Sequence, residues 1–395
     1  MKKTLLLALA LCSAAALRAE VTPADPETPV QPDSAAVAET PAETAVETPA
    51  QKSPVATAVE AVQNALAATG SDIKFGGYII GKYSYTSKHG EKSNSSFDLR
   101  LVRLYVDGHA FKDFYYKLQL QVNGQPGEDK GARIVDAFVE WQHFKEFRVK
   151  IGQFKRSFGY ENPMNPLDVG FGAYSQASTK LIGFNDRVGE HACNGRDVGL
   201  QFQGDFFPMA DGHRFLHYQV GVFNGQGVNH TDKDNFKDLI GGLWISPVKG
   251  MRVGGFGWNG KYTNENYTGA PGTLASTDRV RWGLSAEYMG DWQARGEYVW
   301  SKGRSVKNAS LSKYADAWYI QGALPKCHGF QLGARWDCYR DTQSWNSLKQ
   351  IYELALTYYF NKNLFIQAEY DFTHDKTLAS HRNYNTLGVQ VYCRF

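Results

Sequence analysis

The sequence predicts an all-β fold, a transmembrane antiparallel β-barrel of about sixteen strands with long loops at one end and short turns at the other. Three observations carry that expectation. From Ser71 onward, segments of about ten residues alternate apolar and polar side chains. The connections between these segments alternate between short and long. The chain stops on "LGVQVYCRF", a period-two strand ending in an aromatic, where soluble chains usually fray into a polar tail.

The first element is not part of the barrel. "MKKTLLLALALCSAAALRAE" places Lys2 and Lys3 before an apolar run from Leu5 to Leu17 and small residues around Ala19. This predicts a secretory signal peptide over residues 1–19, too short to span a membrane as a helix. Cys12 raises the alternative of a lipoprotein signal, but Leu11 stands where a small residue belongs.

Residues 20–70 read as a disordered, acidic, Pro/Ala/Thr/Glu-rich segment exposed to the periplasm, with "TAVEAVQNALAAT" a candidate helix at its end. The segment carries −7 and the signal stretch +3. Against +3 for the whole chain, this leaves +7 on residues 71–395. The expected barrel domain is therefore distinctly basic.

Within 71–395 the strand signals repeat. "FYYKLQLQVN" sets Tyr116, Leu118, Leu120 and Val122 against Tyr115, Lys117, Gln119 and Gln121. "NLFIQAEYDF" sets Leu364, Ile366, Ala368, Tyr370 and Phe372 against Phe365, Gln367, Glu369 and Asp371. "AFKDF", "HFKE", "SPVKG", "MGD", "LPKCHG" and "NKN" read as turns. "YTSKHGEKSNSS", "NGQPGEDKGA", "KYTNENYTGAPGTLAST" and "THDKTLASHR" read as loops. A soluble β-sandwich would alternate too, but it explains neither this rhythm nor the aromatic Phe395 at the end. In a barrel, the last strand pairs with the first because an open edge in lipid leaves backbone groups unsatisfied. Phe395 then reads as the C-terminal signal for barrel-assembly machinery.

Several motifs tempt and fall short. "GFGWNGKY" has the glycine and lysine spacing of a phosphate-binding loop, but Tyr262 stands where Ser or Thr belongs and no helix follows. His213 and His217 share a strand face without a third metal ligand. Asp232, Asp234 and Asp238 lack the glycine and final glutamate of a calcium loop. Asn94, Asn229, Asn266 and Asn308 lie in glycosylation sequons, and Asp33–Ala35 is a candidate O-glycosylation site; neither signal weighs much in a bacterial chain. Cys193, Cys327, Cys338 and Cys393 read as unpaired, with Cys338 and Cys393 on the outer face. No catalytic residue, metal ligand or cofactor is indicated.

Strand parity points Arg103, Lys117, Arg148, Lys150, Arg281, Arg295 and Arg335 into the lumen. It sends Asp136, Glu140, Glu287, Glu297, Glu353 and Glu369 the same way. Mixed signs solvate any aqueous pore. A gathering of the basic residues on one wall would instead attract anions, and arginine suits oxyanions through its planar fork.

"IGQFKRSFGYE", "GRDVGLQFQG", "GVFNGQG", "GLWISPVKGMRVGG" and "ARGEYVW" resemble the phosphate-selective porin O and P family of Gram-negative outer membranes. The resemblance runs from about Ser71 to Phe395. It implies a sixteen-stranded, generally homotrimeric outer-membrane porin whose third extracellular loop folds inward as a constriction. That loop corresponds to Lys155–Asn194, with Lys155, Arg156, Lys180 and Arg187 as its cations and Glu161, Asp168, Asp186 and Glu190 against them. The implied function is passive diffusion of small hydrophilic solutes with modest anion preference, phosphate among them; the alternative is a surface adhesin or a barrel enzyme. Val253, Gly255 and Gly257, if outward, would offer a flat wall to a neighbouring copy.

Overall fold

The computed structural model describes residues 60–61, 64–124 and 131–395. The chain divides into Met1–Ser53, which lies outside the described residues, and Pro54–Phe395. The expected signal peptide and most of the acidic segment fall in that undescribed part. Of the candidate helix, residues 60–61 and 64–68 are helical.

Sixteen strands follow in a closed ring. They are β1 (Lys74–Thr86), β2 (Ser95–Ala110), β3 (Phe114–Gln121), β4 (Arg133–Trp141), β5 (Arg148–Lys155), β6 (Arg196–Pro208), β7 (Arg214–Phe223) and β8 (Asp238–Ile245). The second half comprises β9 (Met251–Thr263), β10 (Ser276–Met289), β11 (Gln293–Lys302), β12 (Tyr314–Ala323), β13 (Phe330–Arg340), β14 (Leu348–Tyr359), β15 (Leu364–Asp375) and β16 (Asn383–Arg394). Each strand pairs antiparallel with its sequence neighbour, and β16 returns to β1 from Tyr78↔Arg394 to Thr86↔Thr386. Reciprocal backbone bonds between Gly77 and Phe395, at 2.9 and 3.1 Å, extend that seam to the last residue. Gly77 is required there, because a Cβ would come within 2.7 Å of the Phe395 ring.

Some strands exceed the expected ten residues: β2 has 16 and β10 has 14. β1 and β2 therefore take Tyr85, Thr86, Ser95 and Ser96 from the ends of "YTSKHGEKSNSS", since backbone pairing continues past the apolar band. "MADGH" between β6 and β7 is one more short turn, unrecognised in the sequence because its flanking strands blur into it. No helix among the described residues is long and apolar enough to cross a membrane.

The strands are inside-out relative to a soluble protein. Leu354, Leu284 and Ile320 stand 50%, 58% and 62% exposed, while alternate residues such as Glu353, Ser285 and Tyr319 are buried. The outer wall therefore matches lipid and the inner one is polar. Val253 and Gly257 lie exposed on the outer row of β9, and a Cβ on Gly257 would meet nothing within 4 Å. "GFGWNGKY" is plain strand within β9. All four described cysteines are free. Cys338 occupies the outer row as expected but is fully buried, in register with Trp318.

Candidate functional site: the inward loop

β5 hands the chain to residues 156–195, which leave the wall and fill the lumen before rejoining it at β6. Their only helix among the described residues is the short α1 (Gln176–Leu181), capped by the Ser175 side chain. Most of this segment is buried, which is unusual for a loop, and its backbone needs partners. The barrel wall supplies them. Glu297 accepts from the backbone N–H groups of Tyr160 and Glu161, both at 2.8 Å. Asp337 accepts from Gln176 N at 2.8 Å, and Glu369 from Gly172 N at 2.6 Å. Glu161 accepts from Ser175 and Ser178 and faces Arg335 at 3.5 Å. Several lumen carboxylates thus serve as loop anchors.

The returning leg is held by charge. Arg156 meets Glu190 at 2.6 Å and Asp197 at 2.8 Å, with all three side chains fully buried. Arg279 joins Glu190 to Asp238, and Arg281 takes Asp186 at 2.7 Å. The guanidinium groups of Arg156, Arg279 and Arg281 all face the Trp258 ring, at 5.0, 4.9 and 4.6 Å, and Trp258 Nε1 donates to Asp238. Gly183, at φ 97°, passes where a Cβ would strike Arg156 Nη1. Burial pushes the Cys193 thiol up to about 12, which keeps it protonated as it donates to the Gly183 carbonyl.

Burial would raise the Glu190 carboxyl, yet Arg156 and Arg279 hold it at about 2, below its ordinary 4.5. Such a group stabilises fully above its unfolded value, and this contribution is lost as pH falls through the folded one. We expect the urea-midpoint difference between wild type and Glu190→Gln to stay level from about pH 8 to 5 and to shrink from about pH 4 toward 2. A difference that grows on acidification would contradict this pairing.

The loop docks mainly along β10–β15, with Leu167 also packed on Tyr78 and Ile80 of β1, and leaves a gap against β2 and β3. That gap is a cavity of about 180 Å³, lined by Arg100, Arg103 and Gln121 from the wall and by Lys155, Tyr174, Phe184 and Arg196 from the loop and its stems. It continues into a cavity of about 290 Å³ that shares Arg103, Lys155 and Arg196 and adds Lys117 and Lys150. Arg100 donates to Gln390, while Arg103 donates to Tyr78 and Gln121 and leaves Nε without a partner. Lys117 lies 4.8 Å from the Tyr105 ring. Among the described residues, none of Lys82, Arg100, Arg103, Lys117 and Lys155 pairs with a carboxylate.

The cations singled out from sequence thus separate into different situations. Lys155, the last residue of β5, has its ammonium caged by the carbonyls of Asn162 and Met164 and the Tyr174 hydroxyl. Arg156 is locked in the ion network, and Arg187 is tied to Asp341 at 3.1 Å. Lys180 sits half-buried on α1. Of the strand cations, Arg148 pairs with Asp205, Lys150 with Glu140, Arg281 with Asp186, Arg295 with Glu287, and Arg335 with Glu353. Arg103 and Lys117 keep no acidic partner.

Sequence reading passed over Lys82, Arg100, Arg196, Asp197, Trp258, Arg279 and Asp337, and weighed Asp238 only as part of a calcium loop. The available signal was their place near the loop ends of strands, where "GRDVG" and "DRVRWG" crowd charge. His213 and His217 separate onto Asp211 and Asp205, and Asp232 and Asp234 onto Lys237 and Thr263, so neither set gathers around a shared point.

The sequence profile of the family described as phosphate-selective porin O and P matches residues 73–204. Porin O of Pseudomonas aeruginosa is 24% identical over 290 residues, covering 63% of each chain, so the match spans less than two thirds of that relative. The fold is similar to an anion-selective porin from Comamonas acidovorans, with TM-score 0.60 and 13% identity over 82% of this chain and 100% of that one. It is also similar to OmpF of Salmonella typhi (0.59, 12%, covering 83% and 99%) and to the channel DcaP of Acinetobacter baumannii (0.57, 14%, covering 82% and 97%).

Proposed function

We propose that this chain is an outer-membrane porin of the phosphate-selective porin O and P family, for small hydrophilic solutes and with a preference for anions; the profile match over residues 73–204 and the similarity to Porin O support this reading. One observation carries the selectivity: the gap beside the inward loop is lined by Arg100, Arg103, Lys117 and Lys155, none of which forms an ion pair among the described residues, beside Lys150 and Arg196, which are paired with Glu140 and Asp136. From the loop end downward, Lys82, Arg100, Arg103 and Lys117 form a ladder on β1–β3. In a narrow passage with low-dielectric walls such a row raises the local concentration of anions. An acidic cluster stands on β14 and β15, where Glu353, Glu369 and Asp371 bring carboxylate oxygens within 4.8 Å of one another.

The ladder suits small anions in general, phosphate included, because no single cage surrounds one oxyanion. The family and the anion-selective neighbour support this reading, and the trimeric form of Vibrio cholerae OmpT supports a homotrimer. The outward row of Val253, Gly255 and Gly257 is the proposed contact. Residues 20–70 belong to the periplasmic side in this reading, and folding depends on barrel-assembly machinery acting on the last strand. Diffusion requires no catalytic residue and no cofactor.

Reconstitution into a planar bilayer tests the proposal. Stepwise ohmic conductance with an anion-favouring reversal potential in a salt gradient is expected. Lys82→Glu with Lys117→Glu replaces two ladder cations without touching the loop network, and should move the reversal potential to the cation side. A cation-selective wild type, or a reversal potential unmoved by the double change, would remove the ladder as the source of preference. Absence of conductance in purified, folded protein would end the porin reading.

A further inference from the structure

On the turn side of the loop a separate cavity of about 270 Å³ opens against β10–β15. Its origin lies in three small residues. Ala323, Gly333 and Ala355 stand in direct register on β12, β13 and β14. Neighbouring inward positions carry the larger Gln321, Gln331, Arg335, Glu353 and Thr357, so this row leaves a recess in the lumen wall. Phe171 of the loop roofs it, with its ring 3.6 Å from the place of a Cβ on Gly333. The floor and roof of the recess are therefore apolar, while Arg295, Lys326, Lys362 and Arg394 also line the cavity.

Two polar atoms give it direction. Arg295 and Gln321 are cross-strand partners on β11 and β12, and both line the cavity. Arg295 is only 3% exposed; its Nε donates to Glu287 at 3.1 Å, while its Nη1 has no hydrogen-bond partner. Gln321 spends its amide N–H on the Val169 carbonyl at 3.1 Å and leaves Oε1 buried and unpartnered. Native structures rarely leave a buried donor and a buried acceptor unmet side by side.

We propose that this recess binds a small organic acid that carries a hydroxyl group and an apolar body. The carboxylate accepts from Arg295 Nη1, the hydroxyl donates to Gln321 Oε1, and the apolar body fills the hollow beneath Phe171. Lys326, at the cavity rim, adds positive charge at the entrance. Inorganic phosphate would leave the hollow empty, so this ligand class differs from the small ions of the ladder. The inference rests on the porin reading only in taking the lumen to be open to solutes.

Equilibrium titration of the refolded full chain in detergent tests it, with mandelate, phenylacetate and benzyl alcohol as probes. Mandelate should bind about five- to tenfold more tightly than phenylacetate, which lacks the hydroxyl, and benzyl alcohol, without the carboxylate, more weakly still. Gln321→Leu should erase the mandelate advantage while leaving phenylacetate unchanged. Ala323→Phe, which fills the recess, should abolish mandelate binding in a barrel whose circular dichroism is unaltered. Equal affinity for mandelate and phenylacetate in the wild type overturns the site, as does undiminished binding to Ala323→Phe. Displacement of mandelate by inorganic phosphate would also overturn it, by moving the binding to the ladder. Because binding is read without current, a chain that binds mandelate and conducts nothing would retire the porin and leave the recess standing.

Discussion

Arg156→Met should free the returning leg of the inward loop and widen the channel. The change strands Glu190 and Asp197, whose side chains are fully buried beside Arg156. Arg279 still reaches Glu190, and the N–H of Gly225 still reaches Asp197, so the site keeps part of its compensation. Breaking one partner out of a buried ion network nonetheless costs about 3–5 kcal/mol, more than a loop of this kind can absorb without moving. The expected result is a larger and noisier single-channel conductance together with a lower urea midpoint. Arg156→Glu should do the same more severely, because it adds a third carboxylate to the cluster. Unchanged conductance in a correctly folded Arg156→Met protein would show that the loop is held elsewhere.

Arg335→Ala should act at the other end of the loop, and with a different signature. Arg335 stands between Glu161 of the loop and Glu353 of the wall, with Asp337, Glu369 and Asp371 close by on β13–β15. Removing the guanidinium leaves that wall acidic and unopposed, again at about 3–5 kcal/mol. Reversal potential should move toward cations, and millimolar calcium should then block the variant by settling among the exposed carboxylates. The wild type, in which Arg335 already serves those carboxylates, should be far less sensitive. Equal calcium sensitivity in both proteins would show that Arg335 does not neutralise this wall.

The contrast between these arginines explains what the sequence could reveal. Parity assigned Arg335, Glu353 and Glu369 to the lumen because a strand alternates whatever its neighbours do. Closure of β16 on β1 was legible for a similar reason, since lipid tolerates no open edge. The loop was different. Nothing local in Gln176 points to Asp337, 161 residues away, nor in Gly172 to Glu369. Arg156 looked like a charge offered to the pore and proves to be a structural clamp, because Glu190 and Asp197 reach it only after the loop has folded inward. Lys82 and Arg100 were overlooked for the opposite reason. They stand on ordinary strand positions, and what sets them apart is that neither closes an ion pair among the described residues, although Asp98 stands across from Lys82. That is a property of space and not of spacing.

The seam between β1 and β16 carries a consequence for how the molecule is made. Tyr78 and Arg394 stand at opposite ends of the described strand sequence, and their pairing encloses every other hairpin. Each of those hairpins forms between neighbours at small entropic cost, whereas the seam requires the whole ribbon to have curled first. Closure is therefore the late, irreversible-looking step, and its proofreading is geometric. A slip of one residue would turn Val389 and Val391 inward and present Gln390 and Tyr392 to lipid. A slip of two would keep the faces but carry the Phe395 ring away from Gly77, whose missing side chain leaves room for it. The ring admits a single alignment, and an assembling chain that misses it is left with two open edges instead of none.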